Sequence, residues 1–109
     1  MTVVTVYAVF ANADEAEAIG RTMIEERLAA CVNILGGCRS IYRWEEKIET
    51  ASEVPALFKT TLDQADAIIA RIADLHSYAV PAIVVWPITK MPVAYAKWVE
   101  HEIAGITDC

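Results

Sequence analysis

Apolar residues follow two rhythms along this chain, one continuous or alternating and one spaced by three to five. The exchange between them predicts a series of strands and helices. Val3 to Phe10 is apolar or β-branched almost without interruption, as a central strand buried on both faces requires. Asn12-x-x-Glu15 forms a capping box and opens a predicted helix from Ala13 to Ala30. Its apolar stripe is Ala16, Ile19, Met23, Ile24 and Leu28. A second strand runs from Cys31 to Trp44, interrupted by Gly36-Gly37. No glycine or proline separates Ala30 from Cys31, so tertiary packing must hold that junction. Glu45-Glu46-Lys47 is a charged turn, and Ile48 to Thr60 returns as a third strand, strongest from Val54 onward. Pro55 has no N–H to give, which predicts an edge or a bulge there. Thr61-x-x-Gln64 predicts a second capping box, with Leu62, Ala65, Ile68, Ile69, Ile72 and Leu75 on the inner face of its helix. Val80 to Ile88 is a fourth strand. Pro92 starts a closing helix lined on one side by Tyr95, Trp98, Val99, Glu102, Ile103 and Ile106.

The order βαββαβ with an additional C-terminal helix predicts an α+β, ferredoxin-like plan within a single domain over residues 1–109. In that plan an antiparallel sheet carries both main helices on one face. The strands, however, are apolar on both. Leaving the second face open exposes a patch larger than soluble monomers tolerate. The hairpin from Cys31 to Thr60 is also long for a chain of 109 residues. Both features predict obligate oligomerisation through the open face and the hairpin.

Composition narrows the function classes. Hydrophobic residues make up 56% of the chain, yet no apolar run reaches the roughly 20 residues of a membrane span. Nine basic residues against fifteen acidic give a net charge of −6, which argues against nucleic acid, where Lys and Arg must displace counterions. The apolar start resembles a signal peptide, but it lacks a basic leader and runs straight into the Asn12 cap, so a cytoplasmic protein is expected. Cys31, Cys38 and Cys109 are an odd set without C-x-x-C spacing, which suggests neither a disulfide framework nor a zinc knuckle. Along a regular strand Cys31 and Cys38 point to opposite faces, unless a bulge at Gly36-Gly37 undoes that parity. There is no Gly-rich phosphate loop, nucleophile elbow or His-x-x-x-His, so no enzyme is predicted.

The run Glu25-Glu26-Arg27-Leu28-Ala29-Ala30-Cys31-Val32-Asn33-Ile34 is followed by Ser40-Ile41-Tyr42-Arg43-Trp44, Lys59-Thr60, His76-x-Tyr78, Pro87-Ile88 and Tyr95-x-x-Trp98. This ordered series, covering Thr5 to about Glu102, resembles the CutA family of divalent-cation-tolerance proteins. The resemblance implies a homotrimer whose long hairpins pair with neighbouring subunits, and a role in the response to divalent metal ions. It also implies weak copper or zinc binding near His76, with Cys31 as a second donor, and no organic cofactor. His76 is otherwise a residue that caps a helix end, where the dipole favours a protonated imidazole. Cys31 is otherwise a small buried hydrophobe. The chain departs from the family pattern at Phe10, Leu75 and Ala82, where some members carry Cys, His and Glu. Lys59, Tyr42, Trp44, Tyr78, Tyr95 and Trp98 match positions around an intersubunit cleft. From this follows an alternative, a trimeric signalling or scaffold module that binds a small anionic ligand at Lys59.

Overall fold

The first helix stops five residues early, and the way it stops explains the unpunctuated junction. In a computed structural model that describes residues 2–105, β1 (Val3–Phe10) leads into α1 (Ala13–Glu25). Arg27 then adopts φ 57°, in the left-handed region. The N–H of Leu28 donates to the carbonyl of Met23 at 2.9 Å and that of Arg27 to Ile24 at 3.1 Å. This is a Schellman stop, with arginine where glycine is usual. The cost of that φ is roughly 1–2 kcal/mol. Arg27 offsets it by donating from Nη1 to the Glu102 carbonyl at 2.7 Å. The predicted cap at the other end holds, since Asn12 Oδ1 accepts the Glu15 N–H at 2.8 Å. The return arm goes to the N–H of Ala11 rather than to that of Asn12.

Two short strands, β2 (Cys31–Ile34) and β3 (Cys38–Trp44), replace the single predicted one, and both pair with the long β4 (Lys47–Thr61). Cys31 lies opposite Lys59 and Cys38 opposite Glu53. Seven steps on one side therefore match six on the other. The extra residue at the glycines is a bulge, and it turns Cys31 and Cys38 to the same face. Pro55 faces this break: its carbonyl accepts the Leu35 N–H at 3.0 Å, so its missing donor points to the one stretch where no ladder partner waits. At the far end Glu45 (φ 50°) and Glu46 (φ 67°) make a two-residue turn of the kind glycine and asparagine favour.

The sheet order is β2-β4-β1-β5, with β3 beyond the break on the same side of β4 and β5 spanning Ile83–Pro87. All recorded pairings are antiparallel. β5 starts three residues later than expected, because Pro81 interrupts the chain and Val80 stands out into solvent. α1 and α2 (Ala65–Leu75) cover one face, and the core between them holds Val6, Ala8, Phe10, Ala56, Phe58, Ile68 and Ile72. Phe10 and Phe58 meet edge to face at 6.3 Å.

The second predicted capping box does not form. Leu62 gives its N–H to the Thr2 carbonyl at 2.7 Å, which extends the β1–β4 ladder past the expected cap. The Thr61 hydroxyl is buried without a hydrogen-bond partner among the described residues. Residues 62–64 form a 3₁₀ turn that leaves Leu62 exposed, and Leu75 is exposed at the other end. α3 (Val93–Ala104) crosses part of the opposite face, where Val99 packs with Val3 and Ala30. Ile106 and Cys109 lie outside the described residues. The long axis of 53 Å corresponds to β4 itself, whose fifteen residues span about 50 Å at the usual strand rise.

Candidate functional site

Three elements converge at one end of the open face: the end of β1, the root of the β3–β4 hairpin and the 76–82 segment behind α2. His76 ends α2 with an extended backbone. Its ring turns into the protein, where it is 9% exposed. Nε2 lies 2.7 Å from the Val9 carbonyl, and Nδ1 accepts the Tyr78 N–H at 3.0 Å. That pattern belongs to a neutral imidazole with its proton on Nε2. The ring also stacks on Phe10 at 5.1 Å and 14°. Both nitrogens are thus committed to backbone groups, and neither offers a free lone pair.

Glu15 secures the same segment from the other side. Its carboxylate accepts the Ala11 N–H at 3.1 Å and the Ser77 N–H at 3.0 Å. Partial burial opposes its charge, but the donors of Ser77 and Ala11 hold the carboxyl below its ordinary value of 4.5.

Held in this way, Tyr78 reaches over the sheet and donates its hydroxyl to Glu53 Oε2 at 2.7 Å. Burial and then the Glu53 carboxylate push the Tyr78 phenol up to about 12. Glu53 itself is only 8% exposed. Around this pair opens a cleft of about 630 Å³ walled by Tyr7, Tyr42, Trp44, Val80 and Ala82. A carboxylate, a neutral hydroxyl and several ring faces can hold a hydrogen-bond donor or a cation.

The six residues expected to share a cleft are divided. Tyr42, Trp44 and Tyr78 line it. Tyr95 and Trp98 lie on α3, their rings 5.9 Å apart, and the Tyr95 hydroxyl contacts Cys31 Sγ at 3.4 Å. Burial and the Cys31 contact push the Tyr95 phenol up to about 12. Lys59 stands in register between Cys31 on β2 and Thr5 on β1, so it belongs with the α3 group. The reason is tertiary, because Lys59 and Glu53 share the open face by strand parity but α3 crosses only the Lys59 half.

Cys31 and His76 are likewise apart. Cys31 is level with Thr5 through Lys59 and lies on the open face, whereas His76 stacks on Phe10 of the helix-covered face at the Val9 end. Four residues of strand separate those levels, about 13 Å. Among the described residues no group of three or more His, Cys, Asp and Glu converges on one point.

The family described as CutA1 divalent ion tolerance protein matches residues 4–102 of the chain. The chain belongs to the CutA family. The divalent-cation tolerance protein CutA of Thermus thermophilus is 42% identical over 86 residues, 79% of this chain and 84% of the relative. The crystal structure of CutA from Xylella fastidiosa superposes with a TM-score of 0.91 at 36% identity, covering 94% of this chain and 99% of that one. The periplasmic divalent cation tolerance protein CutA of Archaeoglobus fulgidus gives a TM-score of 0.90 at 31% identity, covering 93% and 98%. The mixed α+β fold with its antiparallel sheet is therefore that of the CutA family.

Glu53 is the residue that sequence reasoning missed. Its signal was present, since 53, 55, 57 and 59 share one face of β4 by the period of two. The strand was weighted from Val54 onward, which cut that face one residue short. Of the departures from the family pattern, Phe10 is fully buried in the core and Ala82 lines the cleft with only a methyl group.

Proposed function

We propose that this protein serves in divalent-cation tolerance and works as a homotrimer, joined through the open face of its sheet and its projecting hairpin. Membership of the CutA family over residues 4–102 carries the reading. The surface supports the assembly: Ile41 and Ile48 near the hairpin tip are 70% and 69% exposed, and Trp44 and Trp86 are also exposed. Apolar side chains in that number on the projecting arm and the open sheet face are the mark of an interaction surface.

Copper or zinc contact in this reading is weak within one subunit. The donors named for it do not meet, and a cation at His76 must first displace the Tyr78 N–H or the proton held by Val9. The resident groups therefore do not fit a tight single-chain metal site. The unpaired thiols of Cys31 and Cys38 suit a reducing compartment, and the cytoplasm is the proposed location.

The direct test is growth on copper and zinc salts of the source organism lacking this gene, with and without the gene restored. Increased sensitivity that the restored gene reverses is the expected result. Equal tolerance in all strains overturns the reading. Light scattering tests the assembly separately: the chain mass is 12.0 kDa, and a monodisperse species of that mass at micromolar concentration removes the trimer.

A further inference from the structure

Arg27 is costly where it stands, and glycine would serve the end of α1 better. Its φ of 57° is a conformation that glycine adopts freely and an L side chain resists. A strained residue persists where its side chain has another use, and here that use is the end of a second helix. α3 also stops on a left-handed residue, Gly105 at φ 75°. The Gly105 N–H donates to the His101 carbonyl, which leaves the carbonyls after it without partners inside the helix. Arg27 Nη1 donates to the first of these, Glu102, at 2.7 Å. No Lys or Arg stands in the last turn of α3 itself, so the cation that suits the negative end of its dipole comes from another part of the chain.

The residues that follow Arg27 continue along the same helix. Ala30 is buried in one cluster with Val99, and Cys31 Sγ lies 3.4 Å from the Tyr95 hydroxyl. As the chain advances through 27, 30 and 31, its partners on α3 recede through 102, 99 and 95. Those three positions are spaced by three and four, which makes one stripe of a helix. The junction without glycine or proline is thus an antiparallel rail for α3, tied at three points. All three ties lie within one chain, so none depends on a surface left uncovered when subunits join. The carboxylate of Glu102 is 3.5 Å from the Arg27 guanidinium with both side chains about half exposed, and such a pair adds little beside the bond to the carbonyl.

We infer that α3 is a strap fastened to the 27–31 junction, with Arg27 as its buckle, and that fastening it completes the sheet face through which subunits join. α3 lies against β4 and β1 on that face, so its position sets how much of the sheet is left for a neighbour. The link to assembly rests on the trimer reading; the buckle does not.

Amide hydrogen exchange on the full chain, unmodified and with Arg27→Gly, tests the buckle. Glycine relieves the backbone and removes the guanidinium, so the two helices should respond differently. Exchange in α3 is expected to rise at least about tenfold, the scale of one charge-assisted hydrogen bond, while exchange in α1 holds or slows. Unchanged exchange in α3, or an equal rise in both helices, overturns the inference. Arg27→Asn tolerates the left-handed region but is too short to reach Glu102, and it must reproduce the α3 response. Glu102→Gln keeps the carbonyl and should change α3 far less; a rise equal to that of R27G makes the ion pair the fastener and overturns the buckle. Should the Arg27 variants fail to fold, NMR of the unmodified protein decides. The Arg27 guanidinium protons must exchange slowly, and free rotation sinks the proposal. Exchange in α3 across a dilution series reads the link to assembly. Protection should rise severalfold with protein concentration, because neighbours that join only the fastened form draw it forward by mass action. Protection independent of concentration, in a chain that light scattering shows to assemble, overturns that link. A chain that is monomeric at every concentration overturns the trimer reading instead, and the comparison with R27G still judges the buckle.

Discussion

The two faces of this sheet solve opposite problems with the same strands. On the helix-covered face, Val6, Ala8, Phe10, Ala56 and Phe58 are sealed by α1 and α2, with the His76 ring stacked on Phe10 at the edge of the cluster. On the other face α3 covers one end only, and the remainder holds Tyr7, Trp86, Tyr42, Trp44 and the buried Glu53. Tyr7 and Trp86 stack at 4.8 Å and 16° across β1 and β5, yet Trp86 stays 46% exposed. One face is finished within the subunit; the other is furnished for something outside it. Side chains on the first face should govern stability, and those on the second should govern association and binding.

The sharpest way to break that contrast is Phe58→Ala, which empties the centre of the sealed face. A loss of about 3–5 kcal/mol in denaturant unfolding is expected, whereas Ile41→Ser at the hairpin should cost the fold about 0.5 kcal/mol or less and change the oligomer instead. Comparable losses for both would erase the distinction.

Tyr78→Phe probes the boundary between the faces. It removes the one side-chain donor that the described residues give the buried Glu53 carboxylate, at a cost of about 1.5–3 kcal/mol. Unfolding of Y78F beside Y78F/E53Q separates the orphaned charge from lost packing, since the double variant should recover part of the loss.

The Glu15 clamp gives a pH signature. Its folded carboxyl is depressed, so its stabilisation is present above the ordinary value and is lost as pH falls through the folded value. Glu15→Gln should therefore flatten the decline of stability in acid while lowering stability at neutral pH. An unchanged slope below pH 4.5, the ordinary value, would remove the clamp from the account. The smallest effect is expected at the turn. Glu46→Gly relieves a positive φ of 67° and should raise stability by roughly 0.5–1 kcal/mol. A loss would show that the conformational freedom glycine adds to the unfolded chain outweighs the relieved strain.

Periodicity made much of this architecture legible. The first strand, the Asn12 cap and the core stripe Ala16-Ile19-Met23 all follow from spacing, and Pro55 pointed to the break it faces. What escaped was held by contacts distant in sequence. Arg27 ends α1 in a conformation typical of glycine because Glu102 is there to receive its guanidinium. Thr61 carries a capping signature, but the Thr2 carbonyl claims the next N–H. The candidate site divided for the same reason, since parity places Lys59 and Glu53 on one face while the packing of α3 assigns them to different neighbourhoods.

The bulge at Gly36-Gly37 has one more consequence, for the reach of the arm. Beyond it, β3 and β4 keep their own register, closed by a two-residue turn. Excising one residue from each strand would rotate every side chain farther out to the opposite face. Excising two from each would restore the facing and draw the tip in by about 7 Å. The length of this arm is therefore adjustable only in discrete steps, much as a ratchet moves by whole teeth, and a partner that grips its tip fixes the tooth.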